Sequence, residues 1–256
     1  MRFFKRFYFQ YLLKRYAIKH HLWEDSTKNI ALLRGLDTIE KTRLRELSSI
    51  FLHQKAFTGI GINLTQKMQI VVAAQACLPV LNLGIDRLDG WTEIIIYPRA
   101  FCISRDERDE NGIVHHKENI LSGEAWSRGP LILSWEDIEQ DLQIIHPGHN
   151  VIIHEIAHKL DMLNGKANGM PPLHLDMQPK QWTAAFTAAY QQLNKRLQHH
   201  HRVCVNPYAA TSPAEFFAVI SEYFFAAPEI LYTHFPAVYQ QLQMYYRQDT
   251  RRQLAR

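Results

Sequence analysis

The twelve residues NVIIHEIAHKLD, from Asn150 to Asp161, constrain the fold of this chain more than any other stretch. On an α-helix, residues four apart lie one turn apart on the same side, so His154 and His158 project their imidazoles in one direction. The flanking residues are mostly apolar, which predicts that the other sides of this helix are buried. Histidines and a glutamate in a core are costly unless they are paired or bind a metal. The stretch therefore predicts a core helix that carries a polar site.

The spacing of these residues is typical of a zinc site. Two neutral imidazoles one turn apart can hold one Zn²⁺, and Glu155 lies beside the first, where it can take a proton from an attacking water. Asp161 lies on the same side and is interpreted as an acceptor for the far N–H of a ligating imidazole. A polar helix without a metal is the less favoured alternative.

A catalytic zinc site needs a third protein ligand and one open position. The histidine-rich zincin pattern would place the third ligand six residues after His158, where this chain has Asn164, so that class of site is excluded. The remaining candidates lie further along the chain, and they are His174, the run His199–His201, Glu215, Glu222 and His234. The histidine run follows NKRLQ and is interpreted as a solvated helix end.

Glu215 and Glu222 are the two carboxylates among these candidates, seven residues apart in one predicted helix. On a continuous helix they face the same way but are separated by about 10.5 Å of rise, so one metal cannot bind both. Glu215 also completes a capping box that begins at Ser212, which offers it a purely structural role. The local pattern leaves the choice between them near even.

The rest of the chain predicts an α+β fold that is mostly helical, with a small β-sheet. Apolar periodicity predicts helices over 28–57 with a break near 35–37, and over 64–84, 150–163, 180–198, 212–225 and 236–248. Strands are predicted at 92–98 and 129–135, with a third within 118–128. The polar stretch 104–119 is predicted to be a surface connection. With 46% hydrophobic residues in 256, the chain can bury a substantial core.

The basic character of the protein lies in its first 23 residues. They hold six of the 29 Lys and Arg and no acid, so the remainder has 23 basic and 25 acidic residues, a net charge of −2. We predict a basic aromatic segment over 1–23 and a single domain over 24–256. A packing helix or a loose basic tail is the favoured interpretation of the segment, and contact with a membrane surface is the alternative.

Three widely spaced cysteines without a Cys-x-x-Cys pair predict a reducing compartment, and no apolar run is long enough to predict a membrane span. We also predict no direct contact with nucleic acid.

Two motifs together resemble a known family. NVIIHEIAHKLD, followed by NPYAATSPAEFFAVISEYFFAAPEI, is similar to the Mlc titration factor A family of bacterial zinc-dependent peptidases, whose catalytic core resembles that of anthrax lethal factor. The likeness also includes LPVLNLGIDRLDGWTEIIIYP and WSRGPLILSWEDI, so it covers roughly residues 64–228 densely.

The resemblance implies a zincin-like core of the gluzincin type with one Zn²⁺ per chain. His154, His158 and Glu215 match the three metal ligands, and Glu155 matches the catalytic glutamate. Tyr208 in NPYAA lies seven residues before Glu215, the interval at which the lethal factor core has a tyrosine that assists the reaction. The resemblance thus resolves the choice of carboxylate in favour of Glu215 and leaves Glu222 as a supporting or structural carboxylate.

The family also implies a function and a partner. It predicts a cytoplasmic zinc peptidase, of the aminopeptidase type, that acts on peptides and binds an Mlc-like repressor of sugar uptake genes. The alternative is a regulatory protein that sequesters a transcription factor and whose zinc site is latent. The aromatic N-terminus and the triple histidine are not features of the family pattern.

Overall fold

The computed structural model describes residues 2–99, 101–108, 114–121, 123–125, 129–143 and 147–254. The helices are α1 Arg2–Tyr16, α2 His20–Thr27, α3 Thr38–Gln54, α4 Gln66–Cys77, α5 Trp135–Leu142, α6 Val151–Asp161, α7 Pro179–Gln198, α8 Pro213–Ala226, α9 Pro228–His234, α10 Pro236–Tyr246 and α11 Thr250–Leu254. The strands are β1 Ala56–Gly59, β2 Glu93–Tyr97, β3 Phe101–Arg108, β4 Val114–Leu121, β5 Gly123–Ala125 and β6 Leu131–Ser134. This content confirms the α+β, mostly helical class.

The main sheet has four strands in the order β1-β2-β6-β5. Strands β1, β2 and β6 run parallel, and β5 pairs antiparallel with β6. The apolar run of β2 places Ile94 and Ile96, which point to the same face of the strand, in the core, whereas Ile95 on the other face is only partly buried. The predicted strands at 92–98 and 129–135 are confirmed, and β1 is a short strand that the sequence did not predict.

Helix α4 forms the centre of the core beside this sheet. Thr65 caps its first turn by accepting a hydrogen bond from the backbone N–H of Met68, as the sequence predicted. All residues from Ile70 to Cys77 are buried. The break predicted near 35–37 is also present, because Asp37 forms a capping box with Glu40 at the start of α3.

Within the predicted surface connection over 104–119, residues 104–108 and 114–119 belong to β3 and β4, and residues 109–113 lie outside the described part of the chain. These strands pair antiparallel with each other, from Phe101 opposite Leu121 to Arg108 opposite Val114. Their sequence is rich in charged residues and lacks an apolar alternation, so no periodicity signalled strands there. The backbone hydrogen bonds between the two strands define the ribbon.

The N-terminal segment contains α1 and the start of α2. Leu12 on α1 and Trp23 on α2 are buried, and the backbone N–H of Ile18 donates to Ser49 Oγ of α3. These contacts match the favoured interpretation, a packing helix. The division of the chain at residue 23 stays a prediction. In the described part of the chain, no helix is both long and apolar enough to span a membrane.

A buried lysine joins α3 to the turn before β2. Lys55 donates hydrogen bonds from Nζ to the carbonyls of Leu88 and Trp91, at 2.6 and 2.5 Å, and its Nζ lies 3.7 Å from the centroid of the Trp91 ring. Burial lowers the pKa of Lys55 to about 8. The helix that carries the histidine motif adds a second ammonium group, because Lys159 Nζ lies 5.0 Å from the same ring.

Candidate metal centre

Two helices, α6 and α8, carry the polar residues predicted from the sequence. Asn150 caps α6 by accepting a hydrogen bond from the backbone N–H of Ile153, and Ser212 caps α8 by accepting one from that of Glu215. The apolar sides of both helices are buried, in agreement with the flanking residues of the motif. The two caps fix where each helix begins, and so which side chains face each other across the contact.

Three side chains from these helices converge on one point. His154 Nε2 lies 3.1 Å from His158 Nε2 and 3.1 Å from Glu215 Oε2, and His158 Nε2 lies 3.3 Å from the same oxygen. Among the residues that the structure describes, this is the one group of three His, Cys, Asp or Glu side chains whose ligand atoms come together in this way. The structure therefore brings together the three residues predicted as ligands.

The triangle has the size and the donor set that a tetrahedral metal ion requires. With bonds of about 2.0–2.1 Å, neighbouring ligand atoms of such an ion lie about 3.3 Å apart. Two ring nitrogens only 3.1 Å apart are stable when a proton or a cation lies between them, because two lone pairs repel each other. Two imidazoles and one carboxylate form the donor set of known catalytic zinc sites.

Glu222 holds the far side of the first histidine. The Nδ1–H of His154 donates to Glu222 Oε1 at 2.7 Å, and the backbone N–H of Asn150 donates to Glu222 Oε2 at 2.6 Å. This hydrogen bond leaves His154 Nε2 as the free ring nitrogen that faces the triangle. The sequence assigned this kind of contact to Asp161, and that interpretation is wrong: the carboxylate comes from α8 instead.

Asp161 has a different role at the end of α6. Its Oδ2 accepts hydrogen bonds from the backbone N–H groups of Asn168 and Gly169, at 2.8 and 2.7 Å. Gly169 has φ +80°, and a Cβ at this position would lie 2.4 Å from the carbonyl oxygen of Pro213, the first residue of α8. The end of α6 and the start of α8 are thus joined through one glycine.

Glu155 lies beside the triangle and is almost fully buried, with 3% of its surface exposed. Its Oε2 has no hydrogen-bond partner among the described residues. Burial raises the pKa of Glu155, and the neighbouring His154 and His158 oppose that rise. A buried carboxylate with a free oxygen and a raised pKa can accept a proton at near-neutral pH.

Tyr208 extends from a short 3₁₀ turn, Pro207–Ala210, which Asn206 caps. Its ring lies 6.1 Å from that of His154 between centroids, and 45% of its surface is exposed. Burial of the hydroxyl raises the pKa of Tyr208 to about 12, and the nearby carboxylates of Glu215 and Glu155 add to this effect. The phenol is therefore protonated at neutral pH and can donate a hydrogen bond.

Without an ion, the ligand residues stabilise one another electrostatically. Burial alone would lower the pKa of His154, but hydrogen bonds to Glu215 and Glu222 outweigh it and raise the pKa well above its usual range. Burial alone would raise the pKa of Glu215, but the two histidines lower it to about 2. A metal ion would take the place of the proton that these groups share.

The other candidate ligands lie apart from the triangle. His174 Nε2 donates to the backbone carbonyl of Tyr245. His199, His200 and His201 are exposed at the end of α7, where His200 adopts the left-handed conformation, φ 55°, that often terminates a helix. The interpretation of this run as a solvated helix end is confirmed.

Sequence reasoning missed a set of supporting residues behind α6. Asn150 Nδ2 donates to Gln75 Oε1 of α4 at 2.7 Å, and the backbone N–H of Val151 donates to Asp141 Oδ2 at 2.8 Å. Asp141 also pairs with His149 at 2.5 Å. Only Asn150 had a local signal, as a typical cap residue before an apolar run. The others depend on contacts between distant parts of the chain.

Comparisons with known proteins show what this chain is similar to. The family model described as glucose-regulated metallo-peptidase M90 matches residues 4–247. A protein of Serratia proteamaculans (strain 568), named Mlc titration factor A, is 40% identical over 238 residues, which cover 91% of this chain and 89% of that protein. A protein of the same name from Yersinia pestis (strain Pestoides F) is also 40% identical, over 91% of this chain and 87% of its own length.

Proposed function

We propose that this chain, which belongs to the glucose-regulated metallo-peptidase M90 family, is a zinc-dependent peptidase of the gluzincin type. The observation that supports this most is the triangle of His154 Nε2, His158 Nε2 and Glu215 Oε2, with sides of 3.1 to 3.3 Å. These three residues would hold one Zn²⁺ and leave a fourth position open. When bound, the ion supplies Lewis-acid chemistry, since it polarises a substrate carbonyl and makes water more acidic.

The residues around the triangle have separate roles in the proposed reaction. Glu155 accepts a proton from the attacking water and passes it to the amine that leaves, which the free Oε2 and the raised pKa support. Tyr208 donates a hydrogen bond to the oxygen of the scissile carbonyl as negative charge develops there. Glu222 orients the His154 ring through its Nδ1–H and holds Asn150 at the start of the same helix.

The finer features of this function are also proposals. We infer aminopeptidase-type action on peptides, a cytoplasmic location, one catalytic domain over 24–256, and no direct contact with nucleic acid. The name Mlc titration factor A, carried by relatives that are 40% identical, supports a second role, binding of an Mlc-like transcriptional repressor. A regulatory protein with a latent zinc site would need the partner surface but not Glu155 or Tyr208.

Metal analysis combined with cleavage of a peptide library tests the enzyme directly. We expect the wild-type chain to bind about one Zn²⁺ and to cleave a subset of peptides. Glu155→Gln should keep the metal and lower the rate of cleavage by roughly 10²- to 10⁴-fold, the usual contribution of a general base. Glu139→Gln, an exposed residue of α5, serves as the control and should match wild type.

The outcomes of this experiment separate the two functions. Equal cleavage by wild type and Glu155→Gln would rule out the proposed mechanism. A chain that binds zinc, cleaves no peptide and still captures an Mlc-like repressor would favour the regulatory alternative. Peptides trimmed only from a free amino end would support aminopeptidase action, and cuts within peptides with blocked ends would contradict it.

A further inference from the structure

Helix α1 has two different faces. Its inner face contains Phe9, Leu12 and Leu13, which contact the core, and Leu12 is only 2% exposed. On the opposite face Phe7, Tyr8 and Tyr11 are between 48% and 56% exposed. A helix that is apolar on both faces is normally buried on both, because solvent-exposed aromatic rings gain nothing from water. The outer face of α1 therefore needs a different explanation from the inner one.

Exposed apolar side chains are concentrated in this helix. In the described part of the chain, twelve large apolar side chains are exposed, and four of them, Phe7, Tyr8, Tyr11 and Tyr16, fall within ten consecutive residues. The other eight are distributed over residues 39–254. Single exposed apolar residues are common on soluble proteins, whereas a cluster marks an interaction surface.

Basic side chains share the outer face with Phe7, Tyr8 and Tyr11, whereas the fourth ring, Tyr16, lies on the inner side and stacks on His53 of α3, with 4.4 Å between ring centroids. Tyr11 lies four residues after Phe7, and Lys14 and Arg15 lie three and four residues after Tyr11, so the four side chains form one stripe along the helix. Lys14 and Arg15 are exposed, and Lys19 continues the basic stretch just after the helix. Residues 1–23 contain no acid, while the rest of the chain has a net charge of −2. A partner of this stripe has to be both negatively charged and able to accept aromatic rings.

We propose that the outer face of α1 binds an anionic membrane surface. Tyrosine and phenylalanine rings lie well at the level of lipid headgroups, and Lys and Arg bind anionic headgroups next to them. The stripe is on the convex surface of one helix, which suits a flat, deformable partner. Single-stranded nucleic acid, the other anionic partner that binds aromatic rings, is usually held in a groove. The inner face of α1 stays in contact with the protein, so the binding is shallow and reversible.

Sedimentation of the full-length chain with lipid vesicles tests this surface and does not depend on peptidase activity. The vesicles contain phosphatidylcholine alone or a mixture with phosphatidylglycerol. We expect the chain to sediment with the mixed vesicles at low salt and to dissociate from them as the salt concentration rises. It should not sediment with vesicles of phosphatidylcholine alone. Absence of binding to the mixed vesicles at low salt would overturn the proposal.

Paired variants show whether α1 is the surface involved. Lys14→Gln with Arg15→Gln should weaken binding about 25-fold, at about 1 kcal/mol for each basic residue. Phe7→Ser with Tyr11→Ser should weaken it by roughly tenfold or more. The matched controls are Lys180→Gln with Lys195→Gln, and Leu175→Ser, which change exposed residues elsewhere and should bind like wild type.

Two further results would contradict the proposal. An equal loss of vesicle binding in the control variants would show that overall charge or nonspecific adsorption, rather than α1, causes the binding. The stripe would be assigned to nucleic acid if the chain bound a single-stranded oligonucleotide but no vesicles, and if the α1 variants abolished that oligonucleotide binding. Thermal unfolding checks that each variant is folded. We expect all of them to fold, because none of the substitutions changes the buried Leu12.

Discussion

Two buried polar clusters of this molecule differ in how their hydrogen bonds are completed. Around Lys55, one ammonium group is enclosed by two backbone carbonyls and the face of Trp91, so donors meet acceptors. Around His154, two ring nitrogens and one carboxylate oxygen face one another, so acceptors meet acceptors. The first cluster is complete as protein alone. The second is complete only when a proton or a cation occupies its centre, and this difference distinguishes a structural cluster from a binding site.

Removal of the third ligand should have the largest effect on the cluster around His154. In Glu215→Ala the triangle loses its one negative charge, and we expect zinc binding to fall by more than the roughly 100-fold typical when only a supporting hydrogen bond is lost. Added Zn²⁺ should raise the melting temperature of wild type and not that of the variant. Metal content after dialysis and thermal unfolding measure these effects. Full metal occupancy in Glu215→Ala would mean that the third ligand is a different residue.

Tyr208→Phe tests the part of the site that supports turnover rather than metal binding. Loss of a hydrogen-bond donor to a developing oxyanion typically lowers kcat by about 10²- to 10³-fold. We expect such a decrease with unchanged zinc content and little change in KM. Steady-state kinetics on a peptide identified from the library provides the measurement. Tyr232→Phe, on α9, is the matched control, and an unchanged kcat in Tyr208→Phe would remove the tyrosine from the mechanism.

Glu222→Gln should have a smaller effect, because it changes a neighbour of the site. The amide can still accept a hydrogen bond with one atom, but its NH₂ group cannot accept a second, so either His154 or Asn150 loses its partner. We expect zinc affinity to fall by about 10- to 100-fold. Competition with a zinc chelator measures the change, with Glu139→Gln as the control. An affinity equal to that of wild type would show that His154 is held by other contacts.

The Lys55 cluster should respond to pH and not to metal. Its pKa is about 8 in the folded chain and 10.5 in the unfolded chain, so between these values the unfolded chain binds more protons and stability rises with pH. Each such group adds at most about 1.4 kcal/mol per pH unit. Lys159, whose pKa burial also lowers to about 8, adds a second contribution.

Lys55→Met should therefore lower the slope of the unfolding free energy against pH between pH 8 and 10 by at most about 1.4 kcal/mol per pH unit, while Lys180→Met leaves it unchanged. Urea unfolding at a series of pH values measures this slope. A slope unchanged in Lys55→Met would mean that the lysine stays protonated in the folded chain.

The sequence predicted the parts of the fold and the site that depend on local pattern. The helices that contain Thr65, His154 and Glu215 follow from apolar periodicity and capping residues, and the two imidazoles follow from helical spacing. The choice of Glu215 over Glu222 needed the family resemblance, because both lie on the same side of one helix. The structure adds that both carboxylates contact His154, one at each ring nitrogen.

What the sequence could not predict depends on contacts between distant segments. The sequence left Glu222 with a supporting or structural role but did not indicate what it contacts, because His154, whose Nδ1–H it accepts, lies 68 residues away. The acceptor predicted for this kind of contact was Asp161, which is close to both histidines in sequence. Asp161 instead accepts hydrogen bonds from two backbone N–H groups of the loop that follows α6. These groups lie outside any helix or strand that could supply an acceptor. The β3–β4 ribbon was missed for a local reason, because its many charged residues hide the pattern that would indicate strands.

The contact at Gly169 has a consequence for how strongly the site can hold an ion. Because Gly169 has no Cβ, the backbone that follows α6 can contact Pro213, the first residue of α8. This contact keeps the histidines and the glutamate at a fixed separation. A rigid set of three ligands binds an ion with a chelate advantage, because little motion remains to be lost when the ion arrives. Gly169→Ala would convert this preorganised chelator into a looser one without changing any ligand.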